Sequence, residues 1–311
     1  MKIVFMGTPD FAASSLRALL ECGEHEVIGV FTQPDKPVGR KQVLTPPPVK
    51  VLAAEHEIPV YQPTTLKDGQ ALEIINSLSP DVIVVVAYGK FLPTEILNST
   101  KYGCINVHGS LLPLLRGASP IQWSIVTGHK TTGVTTMFMD EGMDTGDMLL
   151  KAEVSIEEND NFESLHDKLA ITGAELLIKT LSELEKGTLE RVKQDDSKAT
   201  YAPIIKKEMG KIDFSKNATE IRNLIRGFDP WPAAFTFLNG KRLKVMSATI
   251  ANATHNTEVG TVLDTKNGLC VSAGEGTAII FDTVQLEGSK AMSSIDMLKG
   301  HPLKEGMKLF D

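Results

Sequence analysis

Cysteine is scarce in this sequence of 311 residues, where only Cys22, Cys104 and Cys270 occur. Three widely spaced thiols argue against a disulfide framework and against a thiolate metal site. Long hydrophobic runs are also missing, since no stretch approaches the roughly 20 apolar residues that span a bilayer. The chain enters a strand-like run at its first residues, without the features of a signal or transit peptide. These absences favour a cytoplasmic protein with no membrane segment.

A dinucleotide-binding fingerprint is absent as well. Gly7-Thr8-Pro9-Asp10 follows the first strand-like run, at the place where such folds carry the glycine-rich phosphate turn. The spacing G-x-G-x-x-G is not met, and the second strand-like run ends in Thr32-Gln33 rather than in an acidic residue. We therefore expect no bound NAD or flavin dinucleotide.

Positive charge is in deficit overall but unevenly distributed. The formal net charge is −7, which by itself disfavours a nucleic-acid partner. Residues 1–205 carry 18 basic and 27 acidic side chains, whereas residues 206–311 carry 14 and 12. Lys206 to Lys244 holds 9 basic against 4 acidic residues, and Gln33 to Lys50 forms a second basic stretch. Such patches are usually solvated surface, so charge alone does not settle the partner.

The first part of the chain alternates short apolar runs with helix-like segments, a pattern typical of βαβ units. The run at 81–87 is apolar on both faces, as a central strand covered on both sides must be. A long amphipathic helix is predicted at 161–186. Residues 1–188 are thus expected to form an α/β domain with a mostly parallel, Rossmann-like sheet. The strands are predicted at 3–6, 27–31, 58–61, 81–87, 104–108, 133–139 and 147–154.

The periodicity changes after a polar stretch. Residues 189–205 are predicted to be a linker, and residues 206–311 to be a second domain. A helix is expected there at 218–227, followed by short strands between Gly, Asn and Asp turns, which together indicate a small β-barrel of the oligonucleotide-binding (OB) type. The strands are predicted at 234–238, 243–250, 260–264, 269–272 and 278–286.

Three polar residues stand where an open α/β sheet binds ligands, at the carboxyl ends of its strands. Asn106 and His108 lie two residues apart in a predicted strand, so their side chains project from one face. A polar loop follows the strand at 133–139 and would bring Asp144 towards His108. Singly, each residue has a plainer interpretation, with His108 in a core hydrogen bond and Asp144 in a turn. Together they predict an active site.

Several motifs follow one another in order along the chain. They are Phe5-Met-Gly-Thr-Pro-Asp-Phe-Ala12, Thr32-Gln-Pro-Asp-Lys-Pro-Val-Gly-Arg40, Asn106-Val-His108, Ser110-Leu-Leu-Pro113, Arg116-Gly117, Pro120-Ile-Gln122, Thr132-Gly-Val-Thr135 and Asp144-Thr-Gly-Asp147. In this order they resemble the motifs of folate-dependent formyltransferases, and among these the branch that acts on methionyl initiator tRNA. The similarity extends over essentially the whole chain.

The resemblance implies formyl transfer from 10-formyltetrahydrofolate to the α-amine of methionyl initiator tRNA, without a metal ion or a covalent intermediate. Asn106 and His108 would stabilise the oxyanion of the tetrahedral intermediate, and Asp144 would keep the imidazole cationic and relay protons. Binding roles follow in the same way. Folate would contact Ser110, Leu111, Leu112, Pro113, Ala87, Gly89, Phe91 and Leu92, although Phe91 and Leu92 are equally compatible with the core. The tRNA would contact Arg40, Lys36, Lys41, Lys206 and Lys207.

Other functions remain open at this point. The same three catalytic residues would serve formyl transfer to a small amine, such as a nucleotide-linked amino sugar. A hydrolase that releases formate is a further alternative, and an RNA-binding protein that uses only the barrel is another. The family also suggests a monomer.

Overall fold

The computed structural model describes residues 1–39 and 41–309. The chain forms two compact units. The first unit comprises residues 1–120, 131–155 and 166–202, and the second comprises residues 121–130, 156–165 and the chain from Pro203 onward.

The first unit is built on a seven-stranded sheet. Its strands are β1 (Lys2–Gly7), β2 (Glu26–Phe31), β5 (Val60–Tyr61), β6 (Val82–Val86), β7 (Cys104–His108), β8 (Thr131–Phe138) and β9 (Met148–Ser155). They lie in the order β5-β2-β1-β6-β7-β8-β9. Neighbours from β5 to β7 run parallel, whereas β8 pairs antiparallel with β7 and β9 antiparallel with β8. The prediction of a mostly parallel, Rossmann-like sheet is therefore confirmed.

Strand β6 occupies the middle of this sheet, between β1 and β7. All of its five residues are buried, as the unbroken Val-Ile-Val-Val-Val run requires of a strand covered on both faces. The helices up to the long α6 are α1 (Asp10–Cys22), α2 (Pro48–Glu55), α3 (Gln70–Leu78), α4 (Thr94–Leu97), α5 (Pro120–Val126) and α6 (Phe162–Lys186).

An additional hairpin occupies the basic, proline-rich segment between β2 and α2. It consists of β3 (Lys36–Val38) and β4 (Val43–Thr45), paired antiparallel. No strand pattern is visible in the sequence here, because the segment is short and contains four prolines from Pro37 to Pro48. Helix α2 then begins at Pro48, where a missing N–H costs no hydrogen bond and the fixed φ suits the first turn.

The segment 189–205, predicted as a linker, is ordered against the first unit for most of its length. Val192 exchanges backbone hydrogen bonds with Met148, and Arg116 exchanges them with Thr200 and Ala202. The compact unit accordingly extends to Ala202. The polar composition that suggests a linker reflects side chains that make hydrogen bonds within the unit.

From Pro203 onward the second unit contains α7 (Ala218–Phe228), β10 (Ala234–Leu238), β11 (Lys241–Ala251), β12 (Val262–Asp264), β13 (Leu269–Ser272), β14 (Ala278–Leu286), β15 (Met292–Ser293) and α8 (Ser294–Gly300). Its strands form an antiparallel sheet in the order β10-β11-β14-β13-β12, with β15 paired to β14. This half-barrel confirms the expected fold class of the C-terminal domain.

Helix α7 shows how the local sequence sets an element boundary in this unit. The Asn217 side chain accepts the Glu220 amide N–H at 3.0 Å, and the Glu220 carboxylate accepts the Asn217 N–H at 3.1 Å. This reciprocal capping box satisfies amide donors at the start of the helix that would otherwise lack partners. No helix in the described part of the chain is long and apolar enough to cross a membrane.

Candidate active site

Strand β7 carries Asn106 and His108 into the buried interior of the first sheet. All five of its residues are buried, and in the antiparallel pairing with β8 Asn106 lies opposite Met137 and His108 opposite Thr135. The alternation of a strand places the two polar side chains on one face and Val107 on the other. Val107 packs there beside Gly173 of α6.

The imidazole of His108 lies between two hydrogen-bond acceptors. Its Nε2 is 3.1 Å from the Leu115 carbonyl oxygen, and its Nδ1 is 3.7 Å from Oδ2 of Asp144. A carbonyl accepts only, so Nε2 must carry the proton in that hydrogen bond. A hydrogen bond to the Asp144 carboxylate would require a proton on Nδ1 as well.

The Asp144 carboxylate is held by the backbone of the segment that follows β7. Its Oδ2 accepts the Gly117 N–H at 2.8 Å, while the residue itself adopts a positive φ of 55°. Gly117 also has a positive φ of 119°, and a Cβ on it would meet the Ala202 carbonyl oxygen at 2.7 Å. Only glycine fits the position that presents this N–H to Asp144.

The Asn106 carboxamide has no such partner. Among residues 1–39 and 41–309 it makes no hydrogen bond, although the residue as a whole is buried. Its polar atoms are not sealed from solvent, so the amide is available to a bound molecule. Asn106 thus offers a free N–H donor on the same strand face as His108, a combination suited to a developing oxyanion.

The predicted folate residues 110–113 differ in what they expose. Ser110 and Leu112 are completely buried, and the Ser110 hydroxyl donates to the Leu114 carbonyl at 2.6 Å. Thr135 on β8 fixes this segment, since its hydroxyl donates to the Ser110 carbonyl at 2.7 Å and accepts the Leu112 N–H at 3.1 Å. Leu111 and Pro113, which are partly exposed, are the members of the segment that present side-chain surface to a ligand.

The other predicted folate residues lie at the turn after β6 and differ in their exposure. Ala87 and Gly89 are exposed and adopt positive φ values of 45° and 79°. Phe91 is 68% exposed, whereas Leu92 is 7% exposed and belongs to the core cluster. The sequence left both residues open between folate contact and the core. In the structure Leu92 lies in the core and Phe91 at the surface.

This turn is anchored through the Tyr88 carbonyl. The Thr8 hydroxyl donates to it at 3.2 Å and the Gln33 side-chain amide at 3.1 Å. The Tyr88 hydroxyl is buried without a hydrogen-bond partner in the described chain, and burial raises its pKa to about 12. Lys90 donates to the Pro63 and Thr64 carbonyls on the opposite side of the turn.

The hairpin β3–β4 presents two of the predicted tRNA contacts. Lys36 and Lys41 are exposed, while Arg40 lies outside the described residues. Lys50 is not available in the same way, because its ammonium is 2.8 Å from the Asp35 carboxylate. This contact holds the pKa of Asp35 below its ordinary value.

Basic side chains in the second unit divide into two groups. Arg222 and Arg226 donate to backbone carbonyls in the segment Glu157–Asp160, and Arg242 stacks on the Phe235 ring. Between Lys206 and Lys244 five lysines are exposed instead, namely Lys206, Lys207, Lys211, Lys216 and Lys241, whereas Lys244 is partly buried. The two predicted contacts Lys206 and Lys207 belong to this exposed group.

Gln194 and Arg116 lie near the site, and the sequence analysis assigned no role to either. Gln194 is buried in the segment expected to be a linker, and it bonds both the Arg116 guanidinium and the backbone carbonyls of Asp144 and Gly146. Arg116 stood in a recognised motif, which was a usable signal. Gln194 had no comparable signal, since it lies among polar residues without periodicity.

Comparisons with known proteins identify the relatives of this chain. A family model described as formyl transferase matches residues 1–181, and one described as formyl transferase, C-terminal domain, matches residues 204–302. Methionyl-tRNA formyltransferase of Bacillus velezensis is 50% identical over 98% of this chain and 96% of its own length. The enzyme of the same name from Caldanaerobacter subterraneus is 52% identical over 98% of this chain and 99% of its own length.

A solved structure extends the likeness in fold. The N-formyltransferase of Helicobacter canadensis, in complex with folinic acid and dTDP-3-aminofucose, has a TM-score of 0.69 and is 22% identical. The match covers 90% of this chain and 98% of that one. With both domain models matched and near-full-length identity of about half to its relatives, this chain belongs to the formyltransferase family, in the group of the methionyl-tRNA formyltransferases.

Proposed function

We propose that this enzyme transfers a formyl group from 10-formyltetrahydrofolate to the α-amine of methionyl initiator tRNA, acting as a cytoplasmic monomer. The observation that carries the chemistry is the arrangement around β7. His108 lies between the Leu115 carbonyl and the Asp144 carboxylate, and Asn106 keeps a free carboxamide on the same strand face. The identity of about half to named relatives carries the choice of acceptor.

The reaction forms one C–N bond and breaks another. The α-amine attacks the formyl carbon, the tetrahedral intermediate carries an oxyanion, and the bond from that carbon to N10 of the folate then breaks. The amine loses one proton and N10 gains one, so no external acid or base is consumed. An α-amino group titrates at about 7.7 to 8.0, and an appreciable fraction is already neutral at physiological pH.

Asn106 is the donor best placed to meet the oxyanion, because its N–H groups are not committed elsewhere in the described chain. A preorganised donor of this kind contributes about 2.7 to 4 kcal/mol of transition-state stabilisation. His108 differs, since its Nε2 is committed to the Leu115 carbonyl. Its Nδ1 is the nitrogen that remains for the reacting groups.

Asp144 stabilises the charge that His108 carries when both ring nitrogens are protonated. The gap of 3.7 Å between Oδ2 and Nδ1 is longer than a hydrogen bond. Hydrogen bonds of this kind are often loose in unliganded enzymes and tighten in the substrate complex. We propose that the proton passes from the amine to N10 by way of this gap between His108 and Asp144.

Folate binding is assigned to two exposed backbone segments of the first unit. The turn at Ala87 and Gly89 would meet the pterin, with Phe91 at its rim, and Leu111 and Pro113 would line the approach to Asn106. Ser110 and Leu112 would act through the backbone they support, since Thr135 and the core hold them. Leu92, being in the core, is left without direct contact.

Recognition of tRNA is assigned to cationic side chains of both units. We propose that Lys36, Arg40 and Lys41 of the hairpin segment and Lys206 and Lys207 of the second domain contact phosphates. The domain spanning residues 206–311 would then bind the acceptor tRNA, while residues 1–188 would catalyse formyl transfer. Neutralising phosphates by lysine and arginine makes such binding depend on salt concentration.

A direct assay tests the proposed acceptor. Purified protein is given 10-formyltetrahydrofolate with charged initiator tRNA, and in parallel with a dTDP-linked amino sugar, which the Helicobacter canadensis enzyme is named as binding. We expect formylmethionine on the tRNA and no product on the sugar. Formylation of the sugar alone would refute the acceptor while leaving formyl transfer intact.

A further inference from the structure

Gln194 is a buried carboxamide, 6% exposed, whose hydrogen bonds are fully used within the protein. Its Oε1 accepts from Nε and Nη2 of Arg116 at 3.0 and 2.9 Å. Its Nε2 donates to the carbonyls of Asp144 and Gly146, each at 2.8 Å. A carboxamide has two donor hydrogens and one oxygen with two lone pairs. No polar capacity is left for a ligand, so Gln194 acts on other residues.

The residue on which it acts has a strained backbone. Asp144 has a φ of 55°, a conformation that a residue with a side chain retains only when its surroundings impose it. The two carbonyls that Gln194 binds flank Thr145, on either side of the turn that begins at Asp144. Gln194 therefore fixes the direction in which this turn leaves Asp144.

The opposite end of Gln194 connects to the segment that holds the carboxylate. Arg116 is a buried cation, 2% exposed, and it also donates to Oδ1 of Asp196 at 2.8 Å. The next residue, Gly117, donates its N–H to Oδ2 of Asp144. Arg116, Gln194, Asp144 and Gly117 thus form a closed ring of contacts, and the Asp144 carboxylate is oriented from both its backbone and its oxygen.

We propose that Gln194 is a positioning residue for formyl transfer. It holds the Asp144 carboxylate in the orientation that faces His108, so that the ion pair is in place when the amine attacks. The role in catalysis rests on the function proposed above for Asp144, whereas the role in positioning does not. Because Gln194 has no uncommitted polar atom to offer a substrate, we expect its loss to affect turnover rather than substrate binding.

The substitution Gln194→Glu changes the contacts at one end of the side chain and keeps those at the other. An oxygen remains for Arg116, now as a carboxylate beside a buried cation, which preserves that contact. The two hydrogens facing the Asp144 and Gly146 carbonyls are replaced by an oxygen, and acceptor then meets acceptor. Glu190→Gln is the matched control, because it makes the reverse isosteric change at an exposed position four residues earlier.

We expect Q194E to lower kcat for Met-tRNA about 10- to 100-fold, as a small misplacement of a reacting group does. The KM values for the folate donor and for Met-tRNA should stay within about twofold, and E190Q should match the wild type. A merely structural role would instead reduce the folded fraction and leave kcat per folded molecule unchanged. That result would overturn the proposal.

A second readout does not depend on activity. The Gly117 amide, bonded to Asp144 Oδ2, should exchange its hydrogen faster in Q194E than in the wild type or E190Q, as measured by NMR. If the wild type fails to formylate any acceptor, the proposed function is wrong, yet this exchange still tests the positioning.

A shorter side chain covers the case in which Q194E does not fold. Gln194→Asn keeps both chemical ends but lacks the length to reach Arg116 and the Asp144 carbonyl together. It should lower kcat and speed Gly117 exchange in the same direction. Wild-type kcat and wild-type exchange in a folded Q194N or Q194E protein would refute the role of Gln194.

Discussion

Nδ1 of His108 lies 3.7 Å from Oδ2 of Asp144, while the other ring nitrogen is bonded to the Leu115 carbonyl. The ring therefore has an acceptor on each side, and the Leu115 carbonyl fixes its orientation. The carboxamide of the third polar member, Asn106, makes no hydrogen bond to another side chain in the described residues. Two residues of the site are thus held in place, and one is free to meet a ligand.

Replacement of the free member should affect catalysis more than stability. We expect Asn106→Ala to lower kcat/KM by about 100- to 1000-fold, which corresponds to about 2.7 to 4 kcal/mol of lost oxyanion stabilisation. Thermal unfolding should change little, because no intramolecular hydrogen bond is lost. Asn98→Ala, at an exposed helix end, is the control. A loss of stability in N106A as large as the loss of activity would contradict a ligand-facing role.

The base of the hairpin segment is closed by Asp35 and Lys50, with Gln62 bonded to both. Lys50→Met should free the hairpin, raise KM for Met-tRNA and leave KM for the folate donor unchanged. Steady-state kinetics with each substrate varied in turn measures this. An equal rise in both KM values would mean that the contact supports the fold rather than the hairpin.

The same contact predicts a pH dependence of stability. Hydrogen bonds from Lys50 and Gln62 hold the pKa of Asp35 below its ordinary value of 3.8. A depressed folded pKa contributes stability that is present above the unfolded value and is lost as the pH falls through the folded one. The difference in unfolding free energy between wild type and Asp35→Asn should shrink as the pH is lowered through 3.8.

Charge removal in the hairpin should weaken tRNA binding selectively. We expect Arg40→Ala and Lys36→Ala to raise KM for Met-tRNA and to flatten its dependence on salt, since each phosphate contact adds to the slope. The KM for the folate donor should not change. Lys179→Ala, an exposed lysine on α6, serves as the control. Unchanged salt dependence in both hairpin variants would exclude these contacts.

The sequence was sufficient to predict the elements whose pattern is regular. Strand β7 was predicted with its observed limits, and α6 to within one residue, because alternation in a strand and a 3.6-residue period in a helix are visible without tertiary information. The pairing of His108 with Asp144 was anticipated from their places at strand ends. Its distance was not, since that depends on the turn geometry of Asp144 and on the Gly117 N–H.

Residues in irregular segments were beyond such reasoning. The hairpin β3–β4 has strands of three residues each, too short for a periodic signal. Gln194 lies in a polar stretch, and its contacts with Arg116 and Asp144 depend on the tertiary fold. Phe91 and Leu92 are adjacent apolar residues, and only the path of the turn after β6 distinguishes the exposed ring from the core residue.

The most direct measurement is a single-turnover transfer of labelled formyl from 10-formyltetrahydrofolate to Met-tRNA, with wild type and Asp144→Asn at saturating substrates. Asparagine keeps the size of the side chain and an oxygen for the Gly117 N–H but removes the charge beside His108. We predict rapid labelling of Met-tRNA by the wild type, a rate at least about 100-fold lower in D144N, and unchanged binding of the folate donor. Transfer by D144N at the wild-type rate would contradict the assignment of Asp144 and His108 as the catalytic pair.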